Sequence, residues 1–165
     1  MKLTLSSLLV ALSALILTAC PSKNDGTAGT TCNTTLSGTF KDACYLQSPG
    51  VYAVDTLVTN GTTLQYTVAT YSDAACGTTT GSSTLTGILT VGSASSAVSG
   101  ATNVDVTPDT GQNIGCGVNG VQYSIYAFNS SCQLVLGEAA GAATGCGSAA
   151  NRHANLASSQ RFDRQ

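Results

Sequence analysis

Short segments rich in Val, Thr and Tyr recur along most of the chain, separated by Gly, Asn, Ser and Asp. In the clearest example, VYAVDTLVTNGTTLQYTVATY at 51–71, two such runs flank Asn60-Gly61. Asn-Gly is the strongest short hairpin signal, because a two-residue type I′ turn needs positive φ at both central positions. In the second run Leu64, Tyr66 and Val68 alternate with polar or small residues, which gives the strand one apolar face. The segment therefore predicts a β-hairpin that turns at Asn60-Gly61.

The same pattern predicts further strands at 35–41, 84–91, 101–107, 120–128, 131–137 and 156–162. In the strand at 120–128, alternation places Val121, Tyr123 and Ile125 on one face, and Asn129-Ser130 forms the turn to the next strand. No segment has a helical period of any length. About eight antiparallel strands with short connections predict an all-β chain folded as a single up-and-down β-barrel, with a β-sandwich as the alternative.

The first residues of the chain have the anatomy of an export signal. Lys2 precedes a mostly apolar stretch at 5–17, which is shorter than the roughly 20 residues that a membrane-spanning helix needs. The residues Leu17-Thr18-Ala19-Cys20 that follow resemble the lipobox of bacterial lipoproteins. The resemblance implies that the Cys20 thiol carries diacylglycerol, that fatty acids such as palmitate form the lipid anchor, and that Cys20 begins the mature chain. An ordinary cleaved signal with a coincidental cysteine is the alternative.

These features divide the chain into a signal peptide at 1–19, a polar tether at 20–35 that begins with lipidated Cys20, and one β domain at 36–165. Pro21 follows the cysteine. In bacterial lipoproteins an Asp at this position often retains the protein in the inner membrane. Because this chain has Pro there instead, the resemblance favours the outer membrane. We expect a protein of the bacterial cell envelope whose partner, through the anchor on Cys20, is the membrane.

The other cysteines are an even number in a chain with an export signal, which predicts disulfides, and a zinc site is the alternative. We predict no metal, because no C-x₂₋₄-C pair occurs and His153 is the only histidine. Across the turn at Asn60-Gly61, Cys44 and Cys76 lie one position out of register, which a single β-bulge would absorb. The same comparison across the turn at Asn129-Ser130 places Cys116 and Cys146 less closely opposite each other and gives a second pair. The predicted disulfides are Cys44–Cys76, Cys116–Cys146 and, by elimination, Cys32–Cys132.

The start of the first predicted strand, Leu36-Ser37-Gly38-Thr39-Phe40, is similar to the Gly-x-Trp opening of lipocalins, with Phe40 in place of Trp. The resemblance implies a barrel of about eight strands that binds a small ligand in its interior. Tyrosine combines a large apolar ring with a hydroxyl group, so tyrosines of the predicted strands are candidates for the wall of such a site, with ordinary core packing as the alternative. The candidates are Tyr52, Tyr66, Tyr123 and Tyr126.

Composition and motifs argue against several function classes. Charged residues make up 8% of the chain, and no Lys or Arg lies between Lys41 and Arg152, so we expect no nucleic-acid partner. We expect no enzymatic activity, because the carboxylates are dispersed and His153 lies in a polar stretch predicted to be a solvated loop. The segment 103–111 faintly resembles a calcium loop, but a strand followed by a β-turn at 108–111 is the plainer interpretation. We expect no cofactor.

Two functions remain from this reasoning. The first is a non-catalytic binding module that holds a small apolar or amphipathic ligand. The second is a surface module for protein–protein interaction, such as an inhibitor, an adhesin or an envelope assembly factor, with no small-molecule ligand. An enclosed cavity of several hundred Å³ would support the first function, and a solid core would support the second.

Overall fold

The computed structural model describes residues 31–165, so the predicted signal peptide, Cys20 and most of the predicted tether lie outside the described residues. The described residues form one compact unit, Thr31–Gln165. Its strands are β1 Gly38–Asp42, β2 Tyr45–Ser48, β3 Val51–Thr59, β4 Thr63–Tyr71, β5 Thr79–Ala94, β6 Thr102–Pro108, β7 Gln122–Phe128, β8 Leu134–Glu138, β9 Asn155–Leu156 and β10 Phe162–Arg164. A short 3₁₀ helix, Ala149–Asn151, lies between β8 and β9.

The strands form a closed sheet. Antiparallel pairing runs in chain order from β3 to β8. β10 pairs with both β8 and β1, and β1 pairs with β3, which closes the sheet on itself. β2 pairs with the part of β3 that β1 does not cover, and β9 pairs with the part of β8 that β10 does not cover. The fold is a closed antiparallel barrel of eight strands with two additional short strands, which confirms the predicted barrel rather than the sandwich.

The first hairpin forms at the predicted place with a longer turn than predicted. Thr59 faces Leu64, so four residues rather than two separate the opposed positions. Gly61 adopts a φ of 90°. The Asn60 side-chain oxygen accepts hydrogen bonds from the main-chain N–H groups of Thr62 at 3.0 Å and Thr63 at 2.8 Å. The prediction of a two-residue type I′ turn is wrong, because this side-chain cap stabilises a wider loop.

The disulfides Cys32–Cys132, Cys44–Cys76 and Cys116–Cys146 are the three predicted pairs. The predicted position of Cys44 and Cys76, opposite each other across the turn at Asn60-Gly61, is nevertheless wrong. Cys44 lies between β1 and β2, and Cys76 lies in the β4–β5 loop, so β3 lies between the strands next to the two cysteines. That loop folds back across β3, where the Cys76 sulfur lies 3.9 Å from the Ala53 carbonyl oxygen. The disulfide therefore ties a loop over the sheet instead of linking opposed residues of one hairpin.

The structure adds detail to two of the predicted strands. On β7, Gln122 and Ser124 face the barrel interior, and the predicted alternation therefore places Ile125 on the outside. Ile125 is nevertheless completely buried, because the segment after β8 returns beside β7, with main-chain hydrogen bonds from Tyr123 to Gly145 and from His153 to Tyr123. The predicted strand at 156–162 is interrupted between β9 and β10.

β5 is the longest strand, and its first half extends beyond the barrel. Residues from Thr79 to Thr84 are exposed and pair with β4, whereas pairing with β6 begins only at Gly87. At Gly87 the two strands approach so closely that a Cβ atom would lie 2.4 Å from the Thr107 carbonyl oxygen. Glycine is required at this point because any side chain would push β6 away from β5.

The barrel interior is densely packed near the β7–β8 turn. Phe40, Leu134 and Phe162 are completely buried there. The Phe40 and Phe128 ring centroids lie 6.0 Å apart, and the Arg164 guanidinium lies 4.5 Å from the Phe40 ring centroid. These side chains fill one part of the barrel interior.

Candidate functional site

A cavity of about 270 Å³ lies inside the barrel. Most of its wall is formed by aliphatic side chains of the strands, of the segment before β1 and of the loop before β7, namely Leu36, Leu57, Leu64, Leu85, Leu89, Val104, Val106, Ile114 and Leu136. The polar side chains in the wall are Tyr66, Gln122, Ser124 and Gln160. The volume is close to the lower end of the range of small-molecule sites, and a mainly apolar wall with a few polar groups is typical of them.

The polar part of the wall leads to a buried carboxylate. Asp55 on β3 is 1% exposed. The Tyr66 hydroxyl and the Gln160 side-chain amide each donate to Asp55 Oδ2 at 2.6 Å. The Tyr45 hydroxyl lies 3.2 Å from both carboxylate oxygens. β2, β3, β4 and the segment before β10 therefore converge on one acidic group.

Three neutral donors, and no cation, satisfy this carboxylate. Among residues 31–165 the ion pair observed joins Arg152 to Asp105, at 2.6 Å, and does not involve Asp55. Hydrogen bonds from neutral donors can hold an ionised carboxylate in a buried position. The interior of the barrel thus carries an uncompensated acidic group close to its cavity.

The electrostatic effect of Asp55 appears at its neighbours. Burial raises the pKa of Tyr45 to about 12, and the charge of Asp55 adds to the rise. The pKa of Tyr66 is raised further, by burial first and then by its hydrogen bond to Asp55. Burial also raises the pKa of Asp42, where repulsion by Asp55 contributes. Each shift disfavours an additional negative charge at this end of the cavity.

These shifts predict a loss of stability at alkaline pH. The folded protein keeps the Tyr45 and Tyr66 phenols protonated above pH 10, whereas the unfolded chain releases both protons near that pH. Since the unfolded state then binds fewer protons, the free energy of unfolding falls as the pH rises from about 10 towards 12. Urea titrations across this range should give a falling midpoint in the unmodified protein and a flatter profile in the Tyr45→Phe/Tyr66→Phe double variant. An equal fall in both proteins would contradict the assignment.

His153 is buried, and its prediction as a solvated loop residue is wrong. It is 5% exposed, with Nδ1 3.0 Å from Ser124 Oγ and Nε2 3.2 Å from the Thr144 carbonyl oxygen. The segment before His153 returns beside β7. Gly145 of this segment packs so closely against the imidazole that a Cβ atom there would lie 2.4 Å from His153 Nε2. The histidine thereby holds the returning segment against β7 and orients the Ser124 hydroxyl in the cavity wall.

Of the predicted wall residues, the structure brings Tyr66 to the cavity. Tyr126 packs in the core, edge-on to Phe128 with 6.3 Å between ring centroids. Tyr123 lies under the Arg152 guanidinium, 5.6 Å from the ring centroid. Tyr52 is half-buried on β3, opposite Tyr71, and does not line the cavity.

The segment that faintly resembles a calcium loop forms β6 and a turn, as the plainer interpretation predicts. Asp105 on β6 pairs with Arg152, which also donates to the carbonyl oxygens of Val104 and Ser124. The Gln112 N–H donates to the Asp109 carbonyl at 3.1 Å, so the turn spans 109–112, one residue later than predicted. Within the described part of the chain, no group of three His, Cys, Asp or Glu side chains could hold a metal ion.

No protein-family profile matches the chain, and no curated protein is significantly similar to it. Between residues 31 and 165, no helix has the length and apolar character needed to cross a bilayer.

Proposed function

We propose that the chain is a lipid-anchored protein of the bacterial cell envelope whose barrel binds a small apolar or amphipathic molecule without catalysis. The observation that carries the proposal is the apolar cavity of about 270 Å³ inside a closed barrel. A barrel of this size can instead fill its interior with side chains, so an open, apolar interior is a specific feature of this sequence. The anchor on Cys20 rests on the lipobox resemblance, and three disulfides agree with an oxidising compartment.

The cavity volume limits the size of the ligand. At a packing density of about 0.74, a cavity of 270 Å³ holds about 200 Å³ of van der Waals volume, roughly a ten-carbon chain with a small polar group. Decanol is therefore a suitable first probe for the unit Thr31–Gln165, which contains the whole barrel, its core and its disulfides.

Blocking the cavity with a larger side chain tests the proposal. Leu89 is 6% exposed and forms part of the wall, so Leu89→Trp should occupy space that the ligand needs. We expect decanol to bind to the unmodified domain in isothermal titration calorimetry and to lose at least tenfold in affinity for Leu89→Trp, about 1.4 kcal/mol. Circular dichroism checks that the variant keeps its β structure.

The matched control is Thr90→Trp. Thr90 is the next residue of β5, is exposed, and lies outside the cavity wall. This variant adds the same side chain on the opposite face of the strand and should bind decanol as the unmodified domain does. Equal affinity in all three proteins would mean that decanol binds elsewhere, and the cavity would no longer be the site.

The free edge of β5 favours the second candidate, a protein–protein interaction module. From Thr79 to Thr84 this strand is exposed and uncharged, and within residues 31–165 it pairs only with β4, so this edge can accept a strand from a partner. A domain that binds none of the apolar probes would move the assignment to this alternative.

A further inference from the structure

We propose that the ligand presents a hydrogen-bond donor, an ammonium or a hydroxyl group, to the polar end of the cavity, and that the site discriminates against carboxylates. The inference rests on the proposed function, and it names the chemical class of the ligand. It follows from the charge behind the wall and from the hydrogen-bonding capacity that the wall residues have left.

The charge behind the wall is negative. Asp55 is 1% exposed, and its hydrogen-bonding partners Tyr45, Tyr66 and Gln160 are all neutral. Because a charge acts more strongly in a poorly solvated interior than in water, a cation in the cavity would be attracted and an anion repelled. The Lys and Arg side chains of the described residues do not offset this charge by an ion pair with Asp55.

Two polar residues of the cavity wall already donate hydrogen bonds to Asp55. Tyr66 has one O–H group, and it is directed to Asp55. Gln160 directs one amide N–H to the same carboxylate, and its second N–H and its carbonyl oxygen leave it, like Gln122, able both to donate and to accept. Both residues line the cavity, and because the one Tyr66 O–H is directed to Asp55, the Tyr66 hydroxyl can offer a ligand only its oxygen as an acceptor.

Ser124 also presents an acceptor to the cavity. The Thr144 carbonyl can only accept, so His153 Nε2 carries the proton that forms this bond. The Ser124 hydroxyl lies 3.0 Å from Nδ1 and 3.4 Å from the Ile125 carbonyl oxygen, and either atom can accept its proton. What Ser124 offers to the cavity is therefore an oxygen lone pair. Gln122, the remaining polar wall residue, has both a donor and an acceptor and does not discriminate.

Three ten-carbon probes of matched length separate the possibilities. We expect decylamine to bind the domain at least tenfold more tightly than decanoate at pH 7, with decanol between them, in calorimetric titrations below the concentrations at which the probes aggregate. Equal affinities, or tighter binding of decanoate, would overturn the head-group inference and leave the proposed function in place. Failure of all three probes to bind would overturn both.

Asp55→Asn tests whether the preference originates at this carboxylate. The substitution keeps the shape of the side chain and removes its charge, so the decylamine preference should fall to within about threefold. Glu138→Gln is the control, because Glu138 is exposed and its loss changes the net charge equally. An undiminished preference in Asp55→Asn, or an equal reduction in both variants, would overturn the inference. If Asp55→Asn does not fold, the test uses Tyr66→Phe, which removes one hydrogen-bond acceptor from the cavity wall. For the inference to stand, this variant must lose more affinity for decanol than for an alkane of the same length.

Discussion

Replacing Cys32 and Cys132 with serine is expected to lower the free energy of unfolding by about 4.7 kcal/mol. The disulfide joins residues 100 positions apart, and cross-linking so long a loop removes much conformational entropy from the unfolded chain. In the folded protein it holds the segment before β1, which is also bound by the Arg164 side chain through the carbonyls of Asn33 and Thr35. Because the protein contains no Trp, urea titrations can be followed by circular dichroism.

The Cys44→Ser/Cys76→Ser variant is the matched comparison. Its disulfide spans 32 positions, for which the same entropy relation gives about 3.7 kcal/mol. The expected order of stability is therefore unmodified protein, then the variant without Cys44–Cys76, then the variant without Cys32–Cys132. The reverse order of the two variants would mean that the native-state contacts of the β4–β5 loop outweigh loop entropy.

Cys20→Ser is expected to move nearly all of the protein from the membrane fraction to the soluble fraction, or to leave the signal peptide uncut. One fatty chain binds a membrane with only about 10⁴ M⁻¹, so stable anchoring depends on the several chains that a lipidated cysteine carries. Cell fractionation measures the distribution, and mass spectrometry of the mature N-terminus identifies the lipid.

Ser22→Ala is the control for this substitution, since it changes a nearby small residue and leaves the cysteine in place. It should remain in the membrane fraction. A mature chain that begins elsewhere, with Cys20 absent or unmodified, would contradict the anchor and favour an ordinary cleaved signal.

The barrel could be predicted from local patterns, because strand alternation and short connections are properties of neighbouring residues. The details of strand register could not be predicted from local patterns. The Asn60 side chain widens the turn by bonding to the residues after it, an option that the Asn-Gly pair does not reveal. The inward face of β7 carries Ser124 because a buried histidine from a distant segment supplies its hydrogen bond, which makes a polar residue acceptable there.

The candidate site was only partly visible in the sequence. Asp55 lies in the apolar run VYAVDTLV, in phase with Ala53 and Leu57, and an acidic residue at an inward position is a signal for a polar site. Gln160 gave no signal of this kind. It is 105 residues from Asp55 and belongs to an irregular segment whose position depends on closure of the barrel.

Native mass spectrometry shows whether the barrel interior holds a small apolar or amphipathic molecule. The domain Thr31–Gln165 would be exported to a bacterial periplasm, purified with its disulfides and without detergent, and sprayed from a volatile buffer. We expect a population with one bound small molecule that is absent from Leu89→Trp and retained in Thr90→Trp. A bare protein mass in all three samples, unchanged after addition of decanol or decylamine, would contradict this expectation.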